Sequence, residues 1–489
     1  MLTPFFNRCS KCFGGYLLSA RSPIHYYRNY SYLAPSSLGT RLFSSMTSSD
    51  DIMPPSDNDN EPRVKESVIR LMTRLAMQHD AVNLSQGFPN EPPPRKVKLA
   101  LAQAVLSGKD YGLLQNNHCD ITEQELADSI VNLLTKETEE DDNMTDDLNQ
   151  YSPPMGRADV RKAVSDYYSR LYDYDVSDDH ITLTLGATEA VATALRTVGR
   201  PGDKVVVFEP FHELYSSQIE IFYLDPVYVT LKPNKEGNWW VYDEDELKDA
   251  IKGSKAIILN TPHNPTGKCF EYKELKQIVD LCLQEEDCYI ITDEIYEHMT
   301  YNDDRKHILI PKAFPEVRDR TLVCNSLGKS ASATGWRLGW CLHPPHLSSY
   351  YRGVHDQLVA MAPHPQQYAS LAYLNLPDNY FRETLSSRYI NRITKLAKAL
   401  NSIGFFVIVP EGSYYLFVDF QGVKELKGRT PMDAAMYLMK EVGVAVVPGD
   451  NFYGKSGEGK KYLRFAACRS DTDIDNAIVR LKEKLHPAE

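Results

Sequence analysis

Short apolar runs alternating with helical periodicity set the tightest limit on what this chain can fold into. ITLTL (181–185), VVVF (205–208), AIILN (256–260), YIIT (289–292) and LVCNS (322–326) are short and continuous, as strands buried on both faces must be. Several are separated by stretches with apolar residues three and four apart, such as TEAVATALRTV before Gly199 and YKELKQIVDLCLQ (272–284). That alternation predicts an α/β fold, a mostly parallel sheet sandwiched by helices. FFVIV (405–409), YYLFVDF (414–420), VAVV (444–447) and YLRFAA (462–467) mix with helices differently and predict a second, smaller α+β domain.

Residues 1–49 carry Arg8, Lys11, Arg21, Arg28 and Arg41 but no Asp or Glu, the pattern of a transit peptide. Mitochondrial import is the expectation, with a plastid as the alternative. Translation from Met46 would instead give a cytosolic form. Residues 50–62 are polar and Pro-rich, a linker. An N-terminal arm with part of the small domain is expected over 63–110, an acidic insertion over 111–147, the large domain over 148–372 and the small C-terminal domain over 373–489. Within the insertion, ETEEDDNMTDD (137–147) should be a solvated surface segment. A net charge of −12 with no basic cluster argues against nucleic-acid binding, and no apolar run approaches the length of a membrane span. The nine cysteines are scattered, and the one CxxC, Cys9 with Cys12, lies in the leader, so no metal site or disulfide framework is expected.

Open α/β sheets bind ligands beyond the carboxyl ends of their strands. Ala187 and Thr188 follow one predicted strand, His212 another, Asn264 a third, Asp293 a fourth, and Ser326 with Lys329 a fifth, which implies one shared site. Lys329 stands among small residues in NSLGKSASATGWRLGW (325–340). A lysine is a nucleophile only when neutral, so it needs desolvation or a nearby cation such as Arg337. Arg337, Ser326 and the amides of Ala187 and Thr188 at a helix start would also cradle a phosphate. A lysine beside a phosphate cradle, with a carboxylate (Asp293) and a phenol (Tyr296) on a neighbouring strand end, suits pyridoxal phosphate.

TLGATEA, EPFHELY, NTPHNPTGK, ITDEIYEHM, NSLGKSASATGWRLGW and YLRFAA occur in an order and spacing that resembles the class I aminotransferases of pyridoxal-phosphate fold type I. Enzymes like kynurenine aminotransferase and glutamine transaminase K are the most similar. The resemblance runs from about residue 64 to the C-terminus, interrupted around 110–147. It implies that Lys329 is the Schiff-base lysine and Asp293 the partner of the pyridine nitrogen. Tyr296 and Asn264 would contact the ring hydroxyl, and Ser326, Arg337, Ala187 and Thr188 would bind the phosphate. His212 would take the stacking position that the family usually fills with an aromatic hydrocarbon ring. Arg464 would clamp the substrate carboxylate, with Gly87 and Asn264 lining the same pocket. Tyr151 in NQYSPPMG would reach the phosphate of a second subunit, which implies a homodimer with shared active sites. Taken singly, Asp293 reads more readily as a helix cap, Tyr296 as core, Asn264 as a turn residue and Arg464 as an ion-pair partner; six motifs in order outweigh these readings.

The reaction implied is ping-pong transamination between an amino acid of kynurenine, glutamine, methionine or aromatic type and a 2-oxo acid. VHDQLVAMAPHP (354–365), similar to a loop that lines the neighbouring subunit's pocket, offers Ala360 and Met361 and no arginine, which favours neutral side chains. Cysteine-conjugate β-lyase and aspartate-type aminotransferase remain alternatives on the same fold. GDNFYGKS (449–456) satisfies the P-loop pattern of an NTPase, yet the sequence after it predicts a strand where a P-loop requires a helix. Ser326 and Lys329 also match S-x-x-K of penicillin-binding enzymes, without the K-T-G that should follow.

Overall fold

The computed structural model describes residues 66–109, 121–135, 146–454 and 457–488. The expected leader and linker, most of the acid-rich stretch 137–147 and Lys455 lie outside these residues. Strands β1 (Ile181–Thr184), β2 (Lys204–Glu209), β3 (Asp225–Thr230), β4 (Ala256–Asn260), β5 (Tyr289–Asp293), β6 (Thr321–Ser326) and β7 (Gly339–Leu342) form one sheet in the order β1-β7-β6-β5-β4-β2-β3. β3, β2, β4, β5 and β6 run parallel. Every residue of β4 and β6 is buried, which explains their continuous apolar sequence.

β7 is antiparallel to both its neighbours, with Gly339 opposite Thr184 on one side and Ser326 on the other. The reversal brings its amino end, and Arg337 just before it, to the edge where the parallel strands end. A Cβ on Gly339 would lie 2.5 Å from the Asn325 carbonyl oxygen, so the tight three-strand approach needs glycine there.

Strands β8 (Phe406–Val407), β9 (Tyr415–Asp419), β10 (Val447–Pro448) and β11 (Tyr462–Ala466) form a smaller antiparallel sheet in the order β8-β9-β11-β10. FFVIV yields only the two residues of β8, because Gly404 and Pro410 bound it closely. VAVV divides as well: Val444–Ala445 pairs in parallel with Val82–Asn83, and only Val447 continues into the small sheet. Helix Glu123–Thr135 occupies part of the stretch expected to be an acidic insertion; only Leu126 of it is buried.

Helices α1 (Val68–Gln78), α2 (Ala187–Val198) and α3 (Leu214–Ile221) contribute residues to the site, and α4 (Tyr272–Gln284) does not. α1 buries Met72 and Ala76 in the same core as β9 and β11. α4 starts with a reciprocal cap in which the Glu271 and Glu274 side chains accept from each other's end of the first turn. α2 starts at Gly186, whose φ of 77° is left-handed and whose absent side chain leaves room for Arg337, only 2.7 Å from where a Cβ would sit.

Candidate active site

A cavity of about 310 Å³ lies at the carboxyl ends of β1, β2, β4, β5 and β6. Ala187, Thr188, His212, Asn264, Asp293, Tyr296, Ser326, Lys329 and Arg337 line it, and Gly87 and Arg464 complete the wall from the side of the small sheet. Chain segments as distant as 87 and 464 therefore share one space with Lys329. Tyr151 does not line it; the side chain is 83% exposed. Its neighbour Ser152 donates its amide to Met361 Sδ at 3.1 Å, and Ala360 and Met361 do not line this cavity either.

Lys329 donates from Nζ to the Gly87 carbonyl. Burial, aided by the Arg464 and Arg337 cations against the pull of Asp293, brings its pKa down to about 8, so a substantial fraction is neutral near physiological pH. Asp293, buried at the end of β5, accepts from Tyr215 Oη at 2.6 Å through Oδ2, while Oδ1 has no hydrogen-bond partner among the described residues. Burial pushes its pKa up to about 6, with the Tyr215 hydrogen bond working against that rise. His212 Nδ1 is buried and has no hydrogen-bond partner among the described residues. Burial, then the Arg464 and Lys329 charges, lower its pKa to about 3, so the ring is neutral.

Arg464 sits on β11 with 1% exposure, a position tolerable for a guanidinium only if its donors are met. Nη1 donates to Asn264 Oδ1 at 3.0 Å and Nη2 to the Ser85 carbonyl at 2.8 Å, and the charge lies 4.4 Å from the Tyr415 ring and 4.8 Å from that of Phe452. Nε is buried, with no hydrogen-bond partner among the described residues. Tyr415 Oη stands 3.0 Å from Tyr296 Oη and blocks any side chain at Gly87, whose Cβ would lie 1.8 Å from it. Arg337 donates to the carbonyls of Thr334 (3.0 Å) and Leu185 (3.3 Å), which holds its guanidinium beside the start of α2. There the first-turn amides of Ala187 and Thr188 have no acceptor within the helix.

These features fit pyridoxal phosphate. The orphaned Asp293 oxygen suits a protonated pyridine nitrogen, and the α2 amides with Arg337 suit a dianion. Tyr215 and Tyr415 belong to the site but were not singled out from sequence; Tyr215 closes the EPFHELY motif, three residues after His212. The P-loop alternative lacks its structural requirement. Gly449–Phe452 and Glu458–Lys461 are 3₁₀ turns leading into β11, and the Gly454 amide already donates to Glu209 Oε2 at 2.9 Å.

The profile of the family "Aminotransferase class I and II" matches residues 112–481. The chain belongs to that family. Aminotransferases of this family and fold depend on pyridoxal phosphate, and the sandwiched, mostly parallel sheet is the one they share. The chain is 35% identical to the probable kynurenine–oxoglutarate transaminase BNA3 of Saccharomyces cerevisiae, over 68% of this chain and 80% of that protein. It is 30% identical to human kynurenine–oxoglutarate transaminase 1, over 84% and 94% respectively. Escherichia coli YbdL, a solved structure with a methionine aminotransferase function, superimposes with a TM-score of 0.73 at 27% identity, covering 88% of this aminotransferase and all of YbdL.

Proposed function

We propose that the chain transaminates amino acids of kynurenine, glutamine, methionine or aromatic type with a 2-oxo acid, through pyridoxal phosphate held by Lys329. The observation that carries this reading is that the unpartnered, buried Asp293 Oδ1 and the pKa-lowered amine of Lys329 line one cavity. When bound, the cofactor supplies a carbonyl that condenses with amines and a ring that draws electrons from the substrate's Cα.

The chain's own residues then divide the work. Lys329 Nζ would hold the cofactor through its carbonyl group. Its amine, whose pKa burial brings down to about 8, would also accept the proton from the substrate's Cα. Asp293 Oδ1 would keep the ring nitrogen protonated, and the neutral His212 would lie against the ring. Tyr296 and Asn264 would meet the ring hydroxyl, while Ala187, Thr188, Ser326 and Arg337 would hold the phosphate. The Arg464 fork receives the substrate carboxylate beside Gly87. A 2-oxo acid reverses the sequence, giving ping-pong kinetics.

Neutral substrates are favoured by the relatives' names and by Ala360 and Met361. Because Tyr151 is exposed and its neighbour Ser152 meets Met361 away from this chain's cavity, Tyr151 and Met361 would serve the site of a second subunit in a homodimer. The acid-free leader would direct the protein to mitochondria; fluorescent fusions of residues 1–60 and of the chain from Met46 that both stayed cytosolic would refute that. The substrate assignment is tested by assaying purified protein with a panel of amino acids against 2-oxo acids. Transfer confined to dicarboxylic amino acids would overturn it.

A further inference from the structure

Helix α1 begins at the wall of the active-site cavity. Its cap, Ser67, accepts the Arg70 amide at 3.3 Å and donates its hydroxyl to the Glu213 carboxylate. The other Glu213 oxygen receives Asn451 Nδ2 at 2.9 Å. Glu213 directly follows His212, so the anchor that positions Arg70 adjoins a residue of the site. The acid on this wall is thus already engaged by two neutral donors.

Arg70 lines the cavity together with Arg337. Its side chain is exposed, and its guanidinium makes no hydrogen bond or ion pair among the described residues. After burial, the Arg70 charge is what lowers the pKa of Arg337, whereas neither Lys329 nor His212 feels it among its principal charges. Arg70 therefore belongs to the Arg337 end of the cavity and not to the Arg464 end. Two guanidinium groups facing one space repel unless an anion joins them. A phosphate dianion met by Arg337 and a helix N-terminus alone still carries uncompensated negative charge.

We propose that Arg70, delivered by the Ser67–Glu213 anchor, is a second cation for the cofactor's phosphate. The proposal rests on the assignment of Ala187, Thr188, Ser326 and Arg337 as the phosphate cradle. It adds a contact from the N-terminal arm to a phosphate cradle otherwise built on the large sheet, and so couples the seating of α1 to cofactor retention.

The test is titration of the cofactor-free, full-length protein with pyridoxal phosphate and with pyridoxal, followed by tryptophan fluorescence. Removing a charge-assisted contact at an exposed position should weaken pyridoxal phosphate binding about 5- to 10-fold in Arg70→Gln. Pyridoxal affinity should not change, Arg70→Lys should fall between, and the phosphate-dependent part of the affinity should be less salt-sensitive in Arg70→Gln. Wild-type pyridoxal phosphate affinity in Arg70→Gln, with Arg337→Gln weakened, overturns the role of Arg70 and leaves the cradle standing. Unchanged affinity in both variants overturns the cradle as well. An equal loss for pyridoxal would mark a packing defect and would also refute the proposal.

Discussion

Tyr215→Phe isolates one hydrogen bond on which the cofactor's charge balance depends. The substitution keeps the ring in its edge contact with His212, at 5.6 Å between centroids, and removes only the Oη donor to Asp293 Oδ2. Burial already raises the Asp293 pKa to about 6, and the Tyr215 bond opposes that rise. A hydrogen bond to a charged group contributes about 1.5–3 kcal/mol, and about 1.4 kcal/mol corresponds to one pKa unit. The Asp293 pKa should therefore climb by roughly one to two units in the variant. Only the carboxylate form can pair with a protonated pyridine nitrogen, so cofactor affinity falls as pH drops through the Asp293 pKa. In wild-type protein the fall should be centred near pH 6, and in Tyr215→Phe it should move upward by that same interval. Near pH 7 the variant should bind pyridoxal phosphate about 2- to 10-fold more weakly, while the two proteins converge above about pH 9. Equilibrium titration of the cofactor-free protein across pH measures this. A variant whose affinity falls at the wild-type pH would refute the reasoning.

Arg464→Lys retains charge but loses the fork, so kcat/KM should fall by roughly 10-fold or more with cofactor affinity unchanged; equal efficiency would remove Arg464 from substrate recognition. Because the neutral form of Lys329 is the nucleophile, the rate of covalent cofactor capture by the cofactor-free protein should rise with pH and level off above about 8, as stopped-flow absorbance can follow. A plateau delayed to about pH 10, the range of an unperturbed lysine, would contradict the burial argument. Gly87→Ala forces Tyr415 away from its position 3.0 Å from Tyr296, so turnover should drop while Lys329 still captures the cofactor; wild-type turnover would show that the pocket wall is not held there.

The large sheet and most of the site were legible because both are written locally. A buried strand must be apolar along its length, and the residue after its carboxyl end must suit the ligand, so Ala187, His212, Asn264, Asp293 and Lys329 could be read one strand at a time. What was not legible depends on contacts between distant segments. The antiparallel β7 is the four residues GWCL (339–342), too few to give a periodicity to read. Tyr215 and Tyr415 resemble core aromatics in sequence, and only the fold brings one to Asp293 and the other to Gly87 and Arg464. Arg70 sits in an ordinary amphipathic helix, and nothing in VIRLMTRLAMQ marks it as facing a cavity shared with Arg337. VAVV was read as one strand because its composition is uniform, although its two halves pair with different partners.

The central claim is that Lys329 is both the covalent holder of the cofactor and the base. Borohydride reduction of wild-type protein followed by peptide mapping should fix pyridoxal phosphate on Lys329. In Lys329→Ala the phosphate cradle remains, so the cofactor should still bind but should no longer be fixed by borohydride. Loss of the base alone should lower turnover by about 10²- to 10⁴-fold. Fixed cofactor on another lysine, with turnover near wild type, would contradict the account.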